Sequence, residues 1–267
     1  MKRAGIFILM LALSVFFVSG LMYGGEEKAV PGTEKTLPEN IKDSCIDEKT
    51  GGIKKECIES ARYYPARLGN EWYLKATRTG KPEEILKIKA VLKEVEERDG
   101  KIFNYFYAPG VDVRFKMRKV EGDGVYMSII VYPFPLFGFP VEAHLKPDMK
   151  IMDFPLEAGK KWSYEGKAEA HILFIPITRD IKADFEIKKK EVLSLEAGEI
   201  ETYNIEVVLD DGSGEGPNTE KYWYGKGTGY TVAAVKGHTA YLTGYKIYDS
   251  EKEEYIIKLP EDHEEYK

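Results

Sequence analysis

The 267-residue sequence predicts a mainly β protein, an antiparallel curved sheet or barrel built from two sequence-similar halves and preceded by a short helix. Three observations carry that prediction. Apolar and polar residues alternate with a period of two through much of the chain after residue 62, the mark of half-buried strands with one wet face. Gly- and Asp-containing turn signals separate the alternating runs. An aromatic-Pro-x3-Gly-x2-Trp motif occurs twice, in a chain that holds only 3 Trp.

In chain order, Lys2 and Arg3 precede an apolar run from Ile6 to Val18, with small residues at Val18-Ser19-Gly20. That run has the length of a signal-peptide core and is short for a bilayer span. Residues 1–25 therefore read as a signal peptide and the protein as exported, to the periplasm or the extracellular space, with an uncleaved anchor as the rival reading. The first cysteine, Cys45, is too distant from the apolar run for a lipid-anchored N-terminus. Residues 26–62 form a linker with a cysteine loop. Cys45 and Cys57 flank Thr50-Gly51-Gly52, and in an exported chain this predicts a disulfide whose loop closure contributes about 3 kcal/mol. Two thiols with no nearby His are too few for zinc, and Asp43, Asp47 and Glu48 lack calcium-loop spacing. Residues 53–62 suit a short helix around Cys57.

From Tyr63 onward the period is two. Leu86, Ile88, Ala90 and Leu92 alternate with Lys87, Lys89 and Lys93, and Val113, Phe115 and Met117 alternate with Arg114, Lys116 and Arg118. The same alternation runs through Lys161–Glu165, Lys182–Lys188 and Thr202–Leu209. Turns are expected at Arg98-Asp99-Gly100, Glu121–Gly124, Glu196-Ala197-Gly198 and Lys236-Gly237-His238, with a longer Gly-rich loop at 210–217. No later stretch has a helical period.

The repeat sets Tyr64-Pro65-x3-Gly69-x2-Trp72 against Phe154-Pro155-x3-Gly159-x2-Trp162, 90 residues on. Hairpin sequences at 95–102 and 193–200 follow at an offset of 98, and the turns at Gly124 and Gly237 at 113. Preserved order with growing offsets suggests a duplicated unit, one half spanning 63–149 and the other 150–249. Pro fixes the strand entry, Gly permits a positive φ, and Trp plugs the core. Residues 250–267 form an acidic tail, read as solvated.

Composition excludes several classes. Lys and Arg total 39 against 45 Asp and Glu, a net charge of -6, which disfavours nucleic acid. Gln is absent and Lys and Glu abundant, as in thermophile proteins.

The second half resembles the TapB-like family, exported bacterial β proteins of unknown function. The resemblance rests on Phe154-Pro155-Leu156 with Gly159 and Trp162, then Glu196-Ala197-Gly198-Glu199-Ile200-Glu201-Thr202, then Trp223-Tyr224-x2-Gly227-x-Gly229, and covers about 95 residues. Ile200 stands where the family often has Phe, and Tyr230 where it often has an aliphatic residue. The resemblance implies structural roles for Gly198, Trp223 and Gly229, implies no catalytic residues, and points more distantly to envelope half-barrels that carry lipids or lipoproteins.

No catalytic constellation stands out. His144, His171, His238 and His263 lack metal-type spacing, and no Ser sits in a Gly-x-Ser-x-Gly setting. The Gly225–Gly229 run leads into a strand rather than a helix, so it is a turn and not a phosphate loop. Two apolar Pro-containing segments do stand out, Val131–Pro140 and Ile172–Ile177. They either close the end of the core or form an apolar mouth, with Phe134, Phe137, Phe139 and Phe174 as candidate ligand contacts. The leading expectation is a non-enzymatic envelope protein that binds an apolar or lipid-like ligand in a concave β face, with no cofactor. The alternative is a module that docks a partner protein through its sheet edge or an aromatic patch at Tyr222–Tyr224. An envelope hydrolase ranks third. The basic stripe of Arg114, Lys116 and Arg118 reads as a solvated face.

Overall fold

The alternating runs become thirteen strands, each hydrogen-bonded antiparallel to the next in chain order: β1 (Glu71–Arg78), β2 (Lys81–Arg98), β3 (Lys101–Ala108), β4 (Val113–Val120), β5 (Gly124–Pro133), β6 (Pro140–Asp153), β7 (Lys161–Ile172), β8 (Ile175–Leu195), β9 (Gly198–Asp210), β10 (Asn218–Gly225), β11 (Gly229–Val235), β12 (His238–Asp249) and β13 (Glu254–Lys258). The computed structural model describes residues 54–98, 101–120, 122–133, 139–172, 174–249 and 252–266. The expected signal peptide, most of the expected linker with Cys45, and Phe134 and Phe137 lie outside the described residues.

β1 pairs with β12 as well as with β2, so twelve strands close into a barrel, and β13 is an extra strand. β13 takes the part of the β12 edge that β11 leaves free. Residues 238–241 of β12 pair with β11, and residues 245–249 pair with β13. Gly244 lies at the handover, where an added Cβ would stand 2.5 Å from the carbonyl oxygen of Lys258.

Period-two patterning sorts the residues between inside and outside. Ile181, Ala183, Phe185 and Ile187 of β8 are buried, while Lys182, Asp184 and Lys188 are exposed. A membrane-spanning barrel has the inverse pattern, an apolar outer band. No helix among the described residues is long and apolar enough to cross a membrane. The two longest strands bend at an extra residue, Lys93 in β2 and Lys188 in β8, bulges of the kind that let a strand curve round a barrel.

The two motif copies build the same local frame. Gly69 and Gly159 have φ of +84° and +88°. The Gly69 N–H donates to Leu92 O and the Leu92 N–H to Asn70 O; likewise the Gly159 N–H donates to Ile187 O and the Ile187 N–H to Lys160 O. Trp72 and Trp162 each take the second position of a strand, and their indole N–H groups donate to Thr228 O (2.6 Å) and Lys150 O (2.9 Å). The frames recur within one continuous sheet. The 149/150 boundary falls inside β6, and one core cluster joins Val113, Met127 and Met149 to Phe185, Ile205 and Tyr222.

The expected short helix is α1 (Lys55–Tyr63). Its buried Tyr63 meets Tyr203 edge-on at 5.2 Å and donates to Glu201 at 2.9 Å, while Glu59 accepts the Leu156 N–H at 2.7 Å. The solvated tail is corrected. Asp262 and Glu265 pair with Lys87, and the buried Tyr266 hydroxyl lies 2.8 Å from Thr243 Oγ1. The charges that suggested solvation face Lys side chains on β1 and β2, so the tail is pinned as a belt.

Candidate functional site

The register brings the two apolar Pro-containing segments to one end of the barrel. Pro133 pairs with Pro140, Ala143 with Ala170, and Ile172 with Ile175, so the β5–β6 and β7–β8 connections leave from the same side of neighbouring hairpins. The β7–β8 tip projects. Phe174 is 96% exposed and Ile175 65%, while Ile172 is half-buried against the core. Pro176 at the start of β8 has no N–H to offer, which suits a strand end free of further pairing. Near the tip Lys146 pairs with Glu169 at 2.5 Å, and His144 lies 2.8 Å from Glu142.

Of the four aromatic residues predicted to contact a ligand, Phe174 is exposed at the tip and Phe139 is half-buried against the core. A concave cup would need an interior larger than packing requires. Among the described residues the barrel holds an apolar cavity of about 40 Å³, lined by residues such as Met127, Phe185 and Tyr222. Sites for drug-sized ligands run to roughly 300–1,000 Å³. Tyr222, Tyr224 and Tyr230 are the tyrosines among its lining residues.

The expected aromatic surface patch is also corrected. Tyr222 is 6% exposed, and Tyr224 lines the cavity edge-on to Tyr230 at 6.3 Å. Inward positions on β10 run Glu220, Tyr222, Tyr224, so the tyrosines face the core, and Trp223, between them, donates to Glu191 at 2.9 Å. Pro65 and Gly229 meet where α1 leads into β1, with the Gly229 Cβ position 3.1 Å from the Pro65 ring. Pro155 precedes the second frame, and Gly198, at φ +104°, makes the β8–β9 turn. Cys57 is buried on α1 and is not free, but its expected mate lies outside the described residues. The basic stripe is paired: Lys116 to Glu96 at 3.0 Å, Arg118 to Asp148 at 3.3 Å and Arg114 to Asp112 at 3.3 Å. His171 is exposed beside the tip.

Sequence reasoning missed one group, Glu220. It is fully buried, and burial pushes its carboxyl up to about 7, against the opposing hydrogen bonds from Tyr222 (2.5 Å) and Asn218 (3.4 Å). Its register partner Val207 faces inward, and that pairing was the available signal.

No protein-family model matches the chain, and no curated protein matches it. Three solved structures share parts of its architecture. A "putative lipoprotein" from Parabacteroides distasonis is 11% identical, with 69% of this chain and 98% of that one covered, at a TM-score of 0.43. A "putative exported protein with YmcC-like fold" from Bacteroides fragilis is 10% identical, with 69% and 99% covered, at 0.46. The hypothetical lipoprotein YmcC from Escherichia coli is 9% identical, with 67% and 85% covered, at 0.40. With scores this low, the fold description stands on the strand register above.

Proposed function

We propose that this chain is a non-enzymatic exported envelope protein, of the TapB-like kind its second half resembles, that docks end-on to a lipid surface through the β7–β8 tip. The observation that carries the reading is the 96% exposure of Phe174 beside Ile175 at 65%, at a hairpin end. Burying two such side chains in an apolar phase is favourable by roughly 1.5–3 kcal/mol each. An exposed apolar hairpin end suits a deformable medium such as acyl chains, whereas a folded partner would need a matching pocket. Because the contact itself is apolar, binding should depend little on anionic lipid or on salt. In this reading the apolar, lipid-like ligand expected from the sequence is met at the surface, by the exposed tip.

The test is co-sedimentation of residues 26–267 with phosphatidylcholine vesicles. Binding that persists in high salt and is lost in Phe174→Asp/Ile175→Asp supports the reading. Equal binding by both proteins, or none by the unmodified protein, overturns it. The Cys45–Cys57 bridge belongs to the same proposal: protein recovered from an exporting host should weigh about 2 Da less than its reduced form, through loss of two thiol hydrogens.

A further inference from the structure

A second surface stands apart from the tip. Among the described residues β13 pairs only with β12, and residues 254–258 make no backbone–backbone hydrogen bond outside that ladder. All five are exposed, Ile257 at 57% and Ile256 at 36%. Proteins usually blunt such an edge with a central charge, a proline or a bulge. Here the centre is Ile256-Ile257 and the charges stand at the ends, Glu254 and Lys258.

We infer that β13 pairs antiparallel with β13 of a second copy, centred on Ile256, and joins two barrels through one continuous sheet. In that register Ile256 faces its own copy, Tyr255 faces Ile257, and Glu254 faces Lys258 on both sides of the two-fold axis. Neither Glu254 nor Lys258 has a salt-bridge partner among the described residues; the Lys258 ammonium lies against Gly198, 2.7 Å from that residue's Cβ position, and would swing from there to meet Glu254 of the second copy. Competing registers are less complementary. A parallel arrangement sets Glu254 on Glu254 and Lys258 on Lys258. Recentring the antiparallel pair on Tyr255 brings Lys258 opposite Lys252. Like charges directly opposite across a ladder are unfavourable. Tyr255 is already braced, its ring edge-on to Tyr248 at 5.3 Å and its hydroxyl donating to Leu68 O at 3.0 Å, so the strand is presented in a fixed conformation.

The experiment uses residues 26–267 in sedimentation velocity over a concentration series. The expected result is a reversible dimer. Glu254→Lys and Lys258→Glu should each weaken it by about tenfold, because each loss counts twice across the axis. The double reversal Glu254→Lys/Lys258→Glu should restore it. Ile256→Cys should cross-link to itself on mild oxidation, faster than Lys182→Cys on the barrel wall. Circular dichroism checks that the exposed substitutions leave the fold intact. A monomer at every concentration, charge reversals without effect, or cross-linking no faster at 256 than at 182 would each overturn the inference.

Discussion

The β1–β2 and β7–β8 hairpins start from the same frame and end differently. Each first strand begins one residue before its Trp and is anchored by the same Gly and backbone bonds. β1 runs 8 residues and turns at Thr79-Gly80, with Gly80 at φ +82° and the Thr79 N–H donating to Gly237 O. β7 runs 12 residues and turns in an apolar tip. A short polar turn therefore satisfies the fold, and nothing in barrel closure requires Phe174 or Ile175 at a hairpin end. Exposed apolar surface that the fold does not need costs solubility, and its presence asks for a role outside the barrel.

The largest expected effect breaks this difference directly. Cutting β7–β8 back to a Thr-Gly turn like that of β1–β2 should lower vesicle partitioning by at least about 100-fold, the equivalent of two apolar side chains withdrawn from lipid. The thermal midpoint should stay close to that of the unmodified protein. Partitioning that survives the exchange would move the lipid contact elsewhere on the molecule.

A second contrast lies inside the barrel. The inward face of β4 is apolar, with Val113, Phe115 and Met117, whereas that of β10, in the same place among the last six barrel strands, carries Glu220 and Tyr222. With its folded pKa raised to about 7 from 4.5, Glu220 holds a proton in the folded protein that the unfolded chain has lost. Stability should then fall as pH rises from about 4.5 to about 7 and remain lower above that. Glu220→Gln keeps an acceptor for Tyr222 and removes the titration. It should raise stability by about 3 kcal/mol at pH 8 and leave it nearly unchanged at pH 4. Urea melts at the two pH values measure this, and equal gains at both would show that Glu220 does not titrate on folding.

How much of this was legible beforehand depended on range. Strands such as β8 and β9 declared themselves because Lys and Glu fill their wet faces, and the turns at Gly198 and Gly237 because only a few residues suit a hairpin. Closure of β1 on β12 was not legible, since Trp72 and Tyr245 are paired by shape and not by any local signal. β13 was hidden by the surrounding acids, which dominate composition while a five-residue strand does not. At the tip, Phe174 was visible as an apolar residue two positions before a proline. Whether it covers the core or leaves it is a matter of register, and register emerges only when neighbouring hairpins are paired.

The smallest predicted effect separates the two frames themselves. Gly69 and Gly159 share a positive φ, so Ala at either position should cost about 1 kcal/mol through the backbone alone. Their surroundings differ. A Cβ on Gly69 would meet the Tyr255 hydroxyl at 3.1 Å, whereas on Gly159 it would meet nothing within 4 Å. Gly69→Ala should therefore cost more than Gly159→Ala, and the excess should vanish in a Tyr255→Phe background, where the hydroxyl that crowds residue 69 is gone. Denaturant midpoints of the four proteins form a double-mutant cycle. A non-zero coupling would mean that β13 leans on the first frame through Tyr255. Equal costs for the two alanines would mean that the frames differ only in what their hairpins carry at the far end.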